Sequence, residues 1–205
     1  MKFKLISLLI ILLSSAMNAF ASESATQLLD RAAKTISTSP SISAKYSLTT
    51  TDGTKSAGAI TLSGNRFLMD AGQMKVWYDG KTQWSYNTAA AEVNITEPTA
   101  AELHQINPLL IIQSFKTNYA VQPVKATSKE TTITLKAKNN NADISTVTLT
   151  LNNTTSLPSE ISIKMASGQS ATIRINSISI GKKLSDPSFR FQPSNYPGVE
   201  VIDLR

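Results

Sequence analysis

The segment spanning residues 76–115 constrains the fold more than any other part of the chain. Its first part predicts a β-hairpin, because two aromatic runs flank the turn dipeptide Asp79-Gly80 and each run carries one of the two tryptophans, Trp77 and Trp84. Its last part, residues 109–112, is a continuous apolar run, which is more than a helix needs to cover one side of a sheet. The segment therefore predicts a sheet whose aromatic face is covered by an apolar, jointed flap.

Most of the remaining chain has β character, with Thr, Ser, Ile and Val between regularly spaced turn signals. Ile173 and Ile175 share one alternation phase, whereas Ile178 and Ile180 take the other, which predicts a bulge near residues 176–177. The predicted strands are residues 43–51, 56–62, 66–70, 73–78, 82–87, 92–96, 119–126, 131–137, 144–151, 159–165, 171–180, 188–191 and 199–202.

Three helices are expected. The first is capped by Ser24 or Thr26 and ends at Pro40. Residues 99–102 read as a capping box that opens the second helix. Asn107-Pro108 ends that helix and starts the third, with Asn107 as N-cap, which runs to about residue 115. This order favours a mostly β, α+β fold: one large curved antiparallel sheet with short helices against its inner face.

The N-terminus has the pattern of a secretory signal peptide. Lys2 and Lys4 precede an apolar run at residues 5–13, and Ala19-Phe20-Ala21 forms a cleavage site. The apolar run is too short for a membrane-spanning helix of ~20 residues, so a membrane anchor is the weaker interpretation. We expect cleavage after Ala21, leaving residues 22–205 as one exported domain. The chain has no Cys, so no disulfide supports the fold, which favours a bacterial periplasm.

Several function classes are disfavoured by the residues present. The net charge of +6 is scattered, without the clustered basic face that nucleic-acid binding requires. His104 is the single histidine, which argues against a histidine metal site. Gly80-Lys81-Thr82 imitates the end of a phosphate-binding loop, but Lys75 stands where the first glycine belongs. No nucleophile elbow is present, so we expect no enzyme, no catalytic residue, no metal and no cofactor.

At three places the chain resembles the periplasmic outer-membrane lipoprotein carriers, the LolA-like proteins. Residues 79–87 read D-G-K-T-Q-W-S-Y-N, close to the hairpin signature D-G-K-T-x-W-x-Y-N of that family. Residues 106–112 resemble its proline-started apolar helix. Residues 189–193 and 198–201 look like its closing F-x-F-x-P and G-V-x-V segments.

The resemblance implies an incomplete β-barrel closed by helices around an apolar cavity for the acyl chains of lipoproteins. It implies a periplasmic, non-catalytic, monomeric carrier that moves lipoproteins from the inner to the outer membrane. The implied partners are acylated lipoproteins, an ATP-driven release complex in the inner membrane and an acceptor in the outer membrane. The best-known members also carry a K-R-P sequence whose basic residue contacts the lid. Here residues 62–67 read L-S-G-N-R-F, so that role is not assigned to Arg66.

Apolar side chains on the flap and on the neighbouring strands are the candidates for the cavity wall. The two tryptophans fit an ordinary core equally well, and a methionine is more often structural than ligand-binding. The expected ligand-binding residues are Phe67, Met69, Met74, Trp77, Trp84, Leu103, Ile106, Leu109, Leu110, Ile112 and Phe115.

Three alternative functions stay open at this point. The first is a related half-barrel that binds or senses another lipid or amphiphile of the cell envelope. The second is an adhesin or sugar-binding module, which would need exposed aromatic side chains. The third and weakest is an enzyme using a carboxylate pair such as Asp79 with Glu92.

Overall fold

The computed structural model describes residues 24–122 and 124–205. The predicted signal peptide, residues 1–21, and its cleavage site lie outside these residues. No helix within the described ranges has the length and apolarity needed to cross a membrane. The described α-helices are α1 Ala25–Thr38, α2 Ala100–Ile106 and α3 Leu109–Asn118.

The strands form one large curved sheet. They are β1 Ser41–Thr50, β2 Lys55–Ser63, β3 Arg66–Asp70, β4 Met74–Tyr78, β5 Gln83–Asn87, β6 Glu92–Thr96, β7 Tyr119–Val121, β8 Lys125–Ala126, β9 Glu130–Ala137, β10 Ile144–Asn152, β11 Pro158–Met165, β12 Ser170–Gly181 and β13 Glu200–Asp203. Their order is β13-β6-β5-β4-β3-β2-β1-β12-β11-β10-β9-β7, and β8 also pairs with β9. Since β13 and β7 stand at opposite ends of this order, the described strands do not close a barrel.

The predicted mostly β fold with an unclosed sheet and short helices is confirmed. One strand pair departs from the predicted antiparallel pattern, because β13 runs parallel to β6. A parallel neighbour requires a long connection. Here the C-terminal chain crosses from β12, in the interior of the strand order, to the end of the sheet, where β13 pairs with β6.

The predicted bulge lies in β12 opposite β1. Lys45 pairs with Ser177 and the next residue, Tyr46, pairs with Ile175, so Asn176 is the extra residue. A bulge bends a strand and increases its twist. The bend explains why the apolar alternation of β12 changes phase at this point.

Helix α1 covers the sheet with one apolar face. Ser24 forms a capping box with Gln27, which satisfies backbone donors at the start of the helix. The buried residues of the helix recur at helical spacing, as the sequence predicts. They are Leu28, Leu29, Ala32 and Ile36.

Helices α2 and α3 meet at a joint. Thr99 and Glu102 form the predicted capping box of α2. The Leu109 N–H donates to Asn107 Oδ1 at 3.2 Å, so the Asn107 side chain caps the start of α3 as expected. The helix itself begins one residue later than predicted and continues to Asn118, beyond residue 115. Its last turn is held by an ion pair of 2.6 Å between Lys116 and Asp30 of α1.

The predicted strand at residues 188–191 is wrong. Two 3-10 helices, Asp186–Phe189 and Pro193–Asn195, occupy this region. A proline lies in the first turn of each, and proline cannot donate to a strand ladder. Phe189 and Phe191 are buried at this place without belonging to a strand.

The predicted strand at residues 119–126 is also different in the structure. It consists of two short strands, β7 and β8, which pair with opposite ends of β9. The residue pattern of this segment therefore predicted β structure but not its division into two strands.

Candidate functional site

Two hydrophobic clusters lie on opposite faces of the sheet. The larger cluster contains the buried residues of α1 and α3 together with the inward side chains of most strands. The smaller cluster centres on Trp77, Val93 and Phe191. Strand β4 contributes to both, because Val76 and Tyr78 belong to the first cluster and Trp77 to the second. This division follows from the period of two along a strand.

One half of the helix-covered face, which we call the filled half, is a packed core. It comprises the inward side chains of β9 and β10 together with the residues of α1 and α3 in the same cluster. Several of these side chains have no solvent exposure, which is typical of a close-packed interior. The fully buried members include Leu29, Ile111, Ile112, Ile133, Leu135, Val147, Leu149 and Leu151.

The other half of this face, which we call the open half, contains a cavity of about 410 Å³. The α2–α3 joint forms one wall, and the inward side chains of β1–β5, β11 and β12 form the rest. The lining residues are Tyr46, Leu48, Ser56, Ile60, Met69, Ala71, Met74, Val76, Ser85, Gln105, Ile106, Asn107, Pro108, Leu109, Ile161, Ile163, Ala171, Ile173 and Ile175.

The cavity wall carries no charged side chain. Its polar groups come from Tyr46, Ser56, Ser85, Gln105 and Asn107. Burial raises the pKa of the Tyr46 hydroxyl above its ordinary value of 10.0, and the nearby Asp70 carboxylate adds to the shift. This hydroxyl is therefore neutral at physiological pH, and the cavity presents an uncharged, mainly apolar surface.

A second groove of about 830 Å³, with a larger polar share of its lining, adjoins the cavity and shares Gln105, Ile163 and Ala171 with it. The groove runs along the β1–β2 and β11–β12 turns, where Asp52 and several hydroxyl side chains line it. The two spaces together place an apolar pocket beside a groove that is more polar than the pocket but still mainly apolar. An amphiphile with an apolar tail and a polar head has the same division.

The structure brings four of the predicted ligand-binding residues together around the cavity: Met69, Met74, Ile106 and Leu109. Met74 is 38% exposed, so it lies at the rim rather than deep inside. These four comprise two strand residues and the two residues that flank Asn107-Pro108.

Five other predicted residues lie elsewhere on the helix-covered face. Phe67, Ile112 and Phe115 are buried in the larger cluster and do not line the cavity. Leu103 is partly buried against the same cluster, and Leu110 is partly exposed on α3. Phe67, Ile112 and Phe115 therefore supply core packing rather than cavity surface.

Trp77 and Trp84 lie outside the cavity, on the opposite face of the sheet. They are directly paired across β4 and β5. The ring centroid of Trp77 is 5.6 Å from that of Phe191 and 5.7 Å from that of Tyr196. The C-terminal segment thus covers the tryptophans, and the expectation that they share one wall with the flap is corrected.

Several wall residues were missed from the sequence, although a signal for them was present. Ile161 and Ile163 alternate with polar residues in β11, and Ile173 and Ile175 share one phase in β12. Since β11 and β12 pair with Ile161 opposite Ile173, their inward phases meet on the same face. The strand pairing that joins these two signals was the missing information.

Helix α2 is held weakly compared with its neighbours. It has no fully buried residue, and none of its described side chains forms an ion pair. His104 Nε2 lies 3.2 Å from Ser114 Oγ of α3, and Gln105 Nε2 donates to Asp143 Oδ2 at 3.2 Å. Burial lowers the pKa of His104 below 6.5, so its imidazole is neutral at neutral pH.

Arg66 does not contact the helices over the cavity. It forms an ion pair with Asp186, and its guanidinium carbon lies 4.9 Å from the ring centroid of Phe189. Arg190 makes a second ion pair of 2.9 Å with Asp79 of the hairpin turn. These contacts attach the C-terminal segment to the sheet, so Arg66 is not in a position to latch the α2–α3 joint.

A family model described as outer membrane lipoprotein carrier protein LolA matches residues 15–169. The match includes the hairpin, the α2–α3 joint and the strands up to β11, and it ends before β12. None of the curated protein sequences matches the chain significantly.

Solved structures resemble the chain at low sequence identity. An uncharacterized conserved protein from Thermus thermophilus is 11% identical with a TM-score of 0.59, and the match covers 88% of this chain and 99% of that chain. A DUF1329 family protein from Desulfovibrio piger is 12% identical with a TM-score of 0.50, covering 83% and 98%. A LolA superfamily protein from Nitrosomonas europaea is 11% identical with a TM-score of 0.44, covering 83% and 99%. The first two similarities concern the fold alone.

Proposed function

The chain belongs to the outer membrane lipoprotein carrier (LolA) family, and from this premise we propose that it binds the acyl chains of lipoproteins in the cavity beneath the α2–α3 joint. In this proposal the protein carries lipoproteins through the periplasm from the inner to the outer membrane. The observation that supports it is the cavity itself, about 410 Å³ of space whose wall has no charged side chain.

The energetics of acyl chains match such a wall. Each methylene removed from water contributes ~0.8 kcal/mol, so one long chain represents on the order of 10 kcal/mol. Attraction of this kind depends on area and not on direction. A carrier can therefore hold a chain strongly while it is shielded and release it when the cavity opens.

Opening is assigned to residues 99–115. Helix α2 has no fully buried residue, whereas α3 is anchored by four: Leu109, Ile111, Ile112 and Phe115. The cavity is near the lower end of the ~300–1,000 Å³ typical of ligand pockets. Several acyl chains would need more room, so we propose that α2 moves outward about Asn107-Pro108 during loading.

The proposed partners follow from the family. They are acylated lipoproteins as cargo, an ATP-driven release complex in the inner membrane and an acceptor in the outer membrane. We further propose that residues 1–21 direct export and are removed after Ala21, that residues 22–205 work as one monomeric domain, and that the protein performs no catalysis.

A second candidate function is favoured by the size of the cavity. In the closed arrangement, about 410 Å³ suits a single-chain lipid or another small amphiphile better than a multiply acylated lipoprotein. The adjoining groove, which has Asp52 and several hydroxyl side chains in its lining, would then receive the head group. This protein would bind or sense an envelope lipid instead of carrying a lipoprotein.

Mass spectrometry of the native protein distinguishes the two functions. The protein is purified without detergent from cell envelopes, and its bound molecules are extracted and identified. Co-purified acylated peptides support the carrier, and free lipids support the second function. Protein that contains neither, and that binds no added acylated peptide or lipid, contradicts both.

A further inference from the structure

The cavity wall contains a buried amide donor without a partner. Asn107 lines the cavity and has no solvent exposure. Its Oδ1 accepts the hydrogen bond from the Leu109 N–H at 3.2 Å. The oxygen of the amide therefore caps α3, and the nitrogen is left for another partner. Its Nδ2 has no hydrogen-bond partner among the described residues.

An unpaired buried donor is unfavourable, because it has lost its water without gaining another acceptor. Other polar groups of the wall differ from it. Ser85 Oγ already accepts from Gln83 Nε2 at 2.9 Å. Gln105 is exposed and donates to Asp143. Asn107 is therefore the wall residue with an unsatisfied buried donor, and since Nδ2 is enclosed in this arrangement, an entering ligand reaches it only when the side chains around the joint shift.

We propose that Asn107 Nδ2 donates a hydrogen bond to the oxygen acceptor at the head of a bound acyl chain. The acceptor is the carbonyl oxygen of an acyl ester or amide, or the carboxylate of a free fatty acid. This inference rests on the proposed binding of acyl chains in the cavity. The apolar tail then lies against the isoleucines of β11 and β12, while its head is held at the joint.

The position of Asn107 gives this contact a consequence for release. The residue both caps α3 and forms the joint about which α2 is proposed to move. A ligand oxygen bonded to Nδ2 ties the joint to the cargo, so the loaded cavity is held closed more firmly than the empty one. An alkyl chain without a carbonyl group lacks this effect.

The test compares three ligands of equal chain length: palmitic acid methyl ester, the matching alkyl methyl ether, and palmitate. Their dissociation constants are measured on delipidated protein by displacement of a fluorescent fatty-acyl probe. We expect the ester to bind about 3- to 10-fold more tightly than the ether, the size of one net hydrogen bond.

Asn107→Asp removes the donor and keeps the oxygen that caps α3. At about pH 8 the helix N-terminus favours the ionised carboxylate, which cannot donate. The ester and the ether should then bind equally. Gln113→Glu is the matched control, because Gln113 Nε2 is also buried and unpaired but Gln113 does not line the cavity. This control should keep the preference for the ester.

Equal binding of the ester, the ether and palmitate by the unaltered protein would overturn the inference, including the case in which a water molecule satisfies Nδ2. It would leave the proposed function intact, since all three ligands still bind. Failure of all three ligands to bind would instead refute the proposed function. A preference for palmitate but not for the ester would assign the contact to a free fatty acid. If Asn107→Asp does not fold, the ester preference and the infrared carbonyl band of the bound ester decide.

Discussion

The filled half and the open half of the helix-covered face have nearly the same side-chain chemistry, yet one is solid and the other holds a cavity. Leu, Ile and Val are the main apolar residues of both halves. The difference lies in the cover. Helices α1 and α3 each contribute four buried residues, whereas α2 contributes none and the chain breaks at Asn107-Pro108. A cavity thus arises where the covering helix is too short and too polar to fill it.

The largest effect is expected when α2, which is proposed to move during loading, is cross-linked to the sheet. The chain has no Cys, so Gln105→Cys and Asp143→Cys would introduce the single pair, at side chains that contact each other at 3.2 Å. Joined by a short cleavable thiol cross-linker, they should prevent loading of an acyl ligand because α2 cannot move. Ligand uptake is measured before and after cleavage of the linker.

Each single Cys variant, treated in the same way, is the control. Unchanged uptake in the cross-linked protein would show that the open half fills without movement of α2.

The next largest effect is expected from a matched pair of Leu→Ala substitutions. Leu149 is fully buried in the filled half, and its loss should reduce the free energy of unfolding by about 2–5 kcal/mol. Leu48 lines the cavity and is only partly buried, so Leu48→Ala should cost less than about 2 kcal/mol. Urea denaturation measures both.

Ligand affinity should change in the reverse order. Leu48→Ala weakens binding of an acyl probe, whereas folded Leu149→Ala binds it normally. Equal losses of stability in the two variants would contradict the division of this face into filled and open halves.

A charge in the wall should act on binding more than on folding. Ile173 is partly exposed in the cavity, so Ile173→Glu places a carboxylate where an acyl chain is proposed to lie. We expect at least about a tenfold loss of affinity, since an unpaired charge is poorly solvated against hydrocarbon. Val201→Glu, at a 47% exposed position of β13, is the control and should bind normally.

The smallest effect concerns pH at the weakly held α2. Burial lowers the pKa of His104 in the folded protein below 6.5, so the unfolded state binds a proton at a higher pH than the folded state. The stability contributed by neutral His104 is present above pH 6.5 and is lost as the pH falls towards the lower folded pKa. Hydrogen exchange in α2, corrected for intrinsic rates, should therefore accelerate between about pH 7 and pH 5.5.

His104→Gln should remove most of this pH dependence. If hydrogen exchange in α2 of the unaltered protein does not depend on pH, protonation of His104 does not affect the stability of this helix.

Features encoded by neighbouring residues were predictable. The hairpin turn at Asp79-Gly80, the capping box at Thr99 and Glu102, and the bulge at Asn176 each depend on a few adjacent side chains. The family was also evident from short motifs in the hairpin and the flap. The export signal and the lipoprotein cargo remain predictions.

The composition of the cavity wall was not predictable to the same degree. Trp77 and Trp84 were expected on the helix-covered face because the aromatic hairpin was interpreted as the surface beneath the flap, although strand alternation separates Trp77 from Val76 and Tyr78. Their outer face becomes buried only because the C-terminal segment returns across it with Phe191 and Tyr196. That return joins segments far apart in the sequence, with most of the strands between them.

The sequence by itself determined most of the strands, the capping boxes that start α1 and α2, the joint at Asn107-Pro108 and the family, because each follows from local backbone preferences and short-range hydrogen bonds. Only the tertiary structure decided which apolar residues fill space and which surround it. Ile112 and Leu109 are both buried in the same helix, but only Leu109 borders the cavity. Burial depends on what lies opposite a side chain, and in this sheet the opposing partner comes from a distant part of the chain.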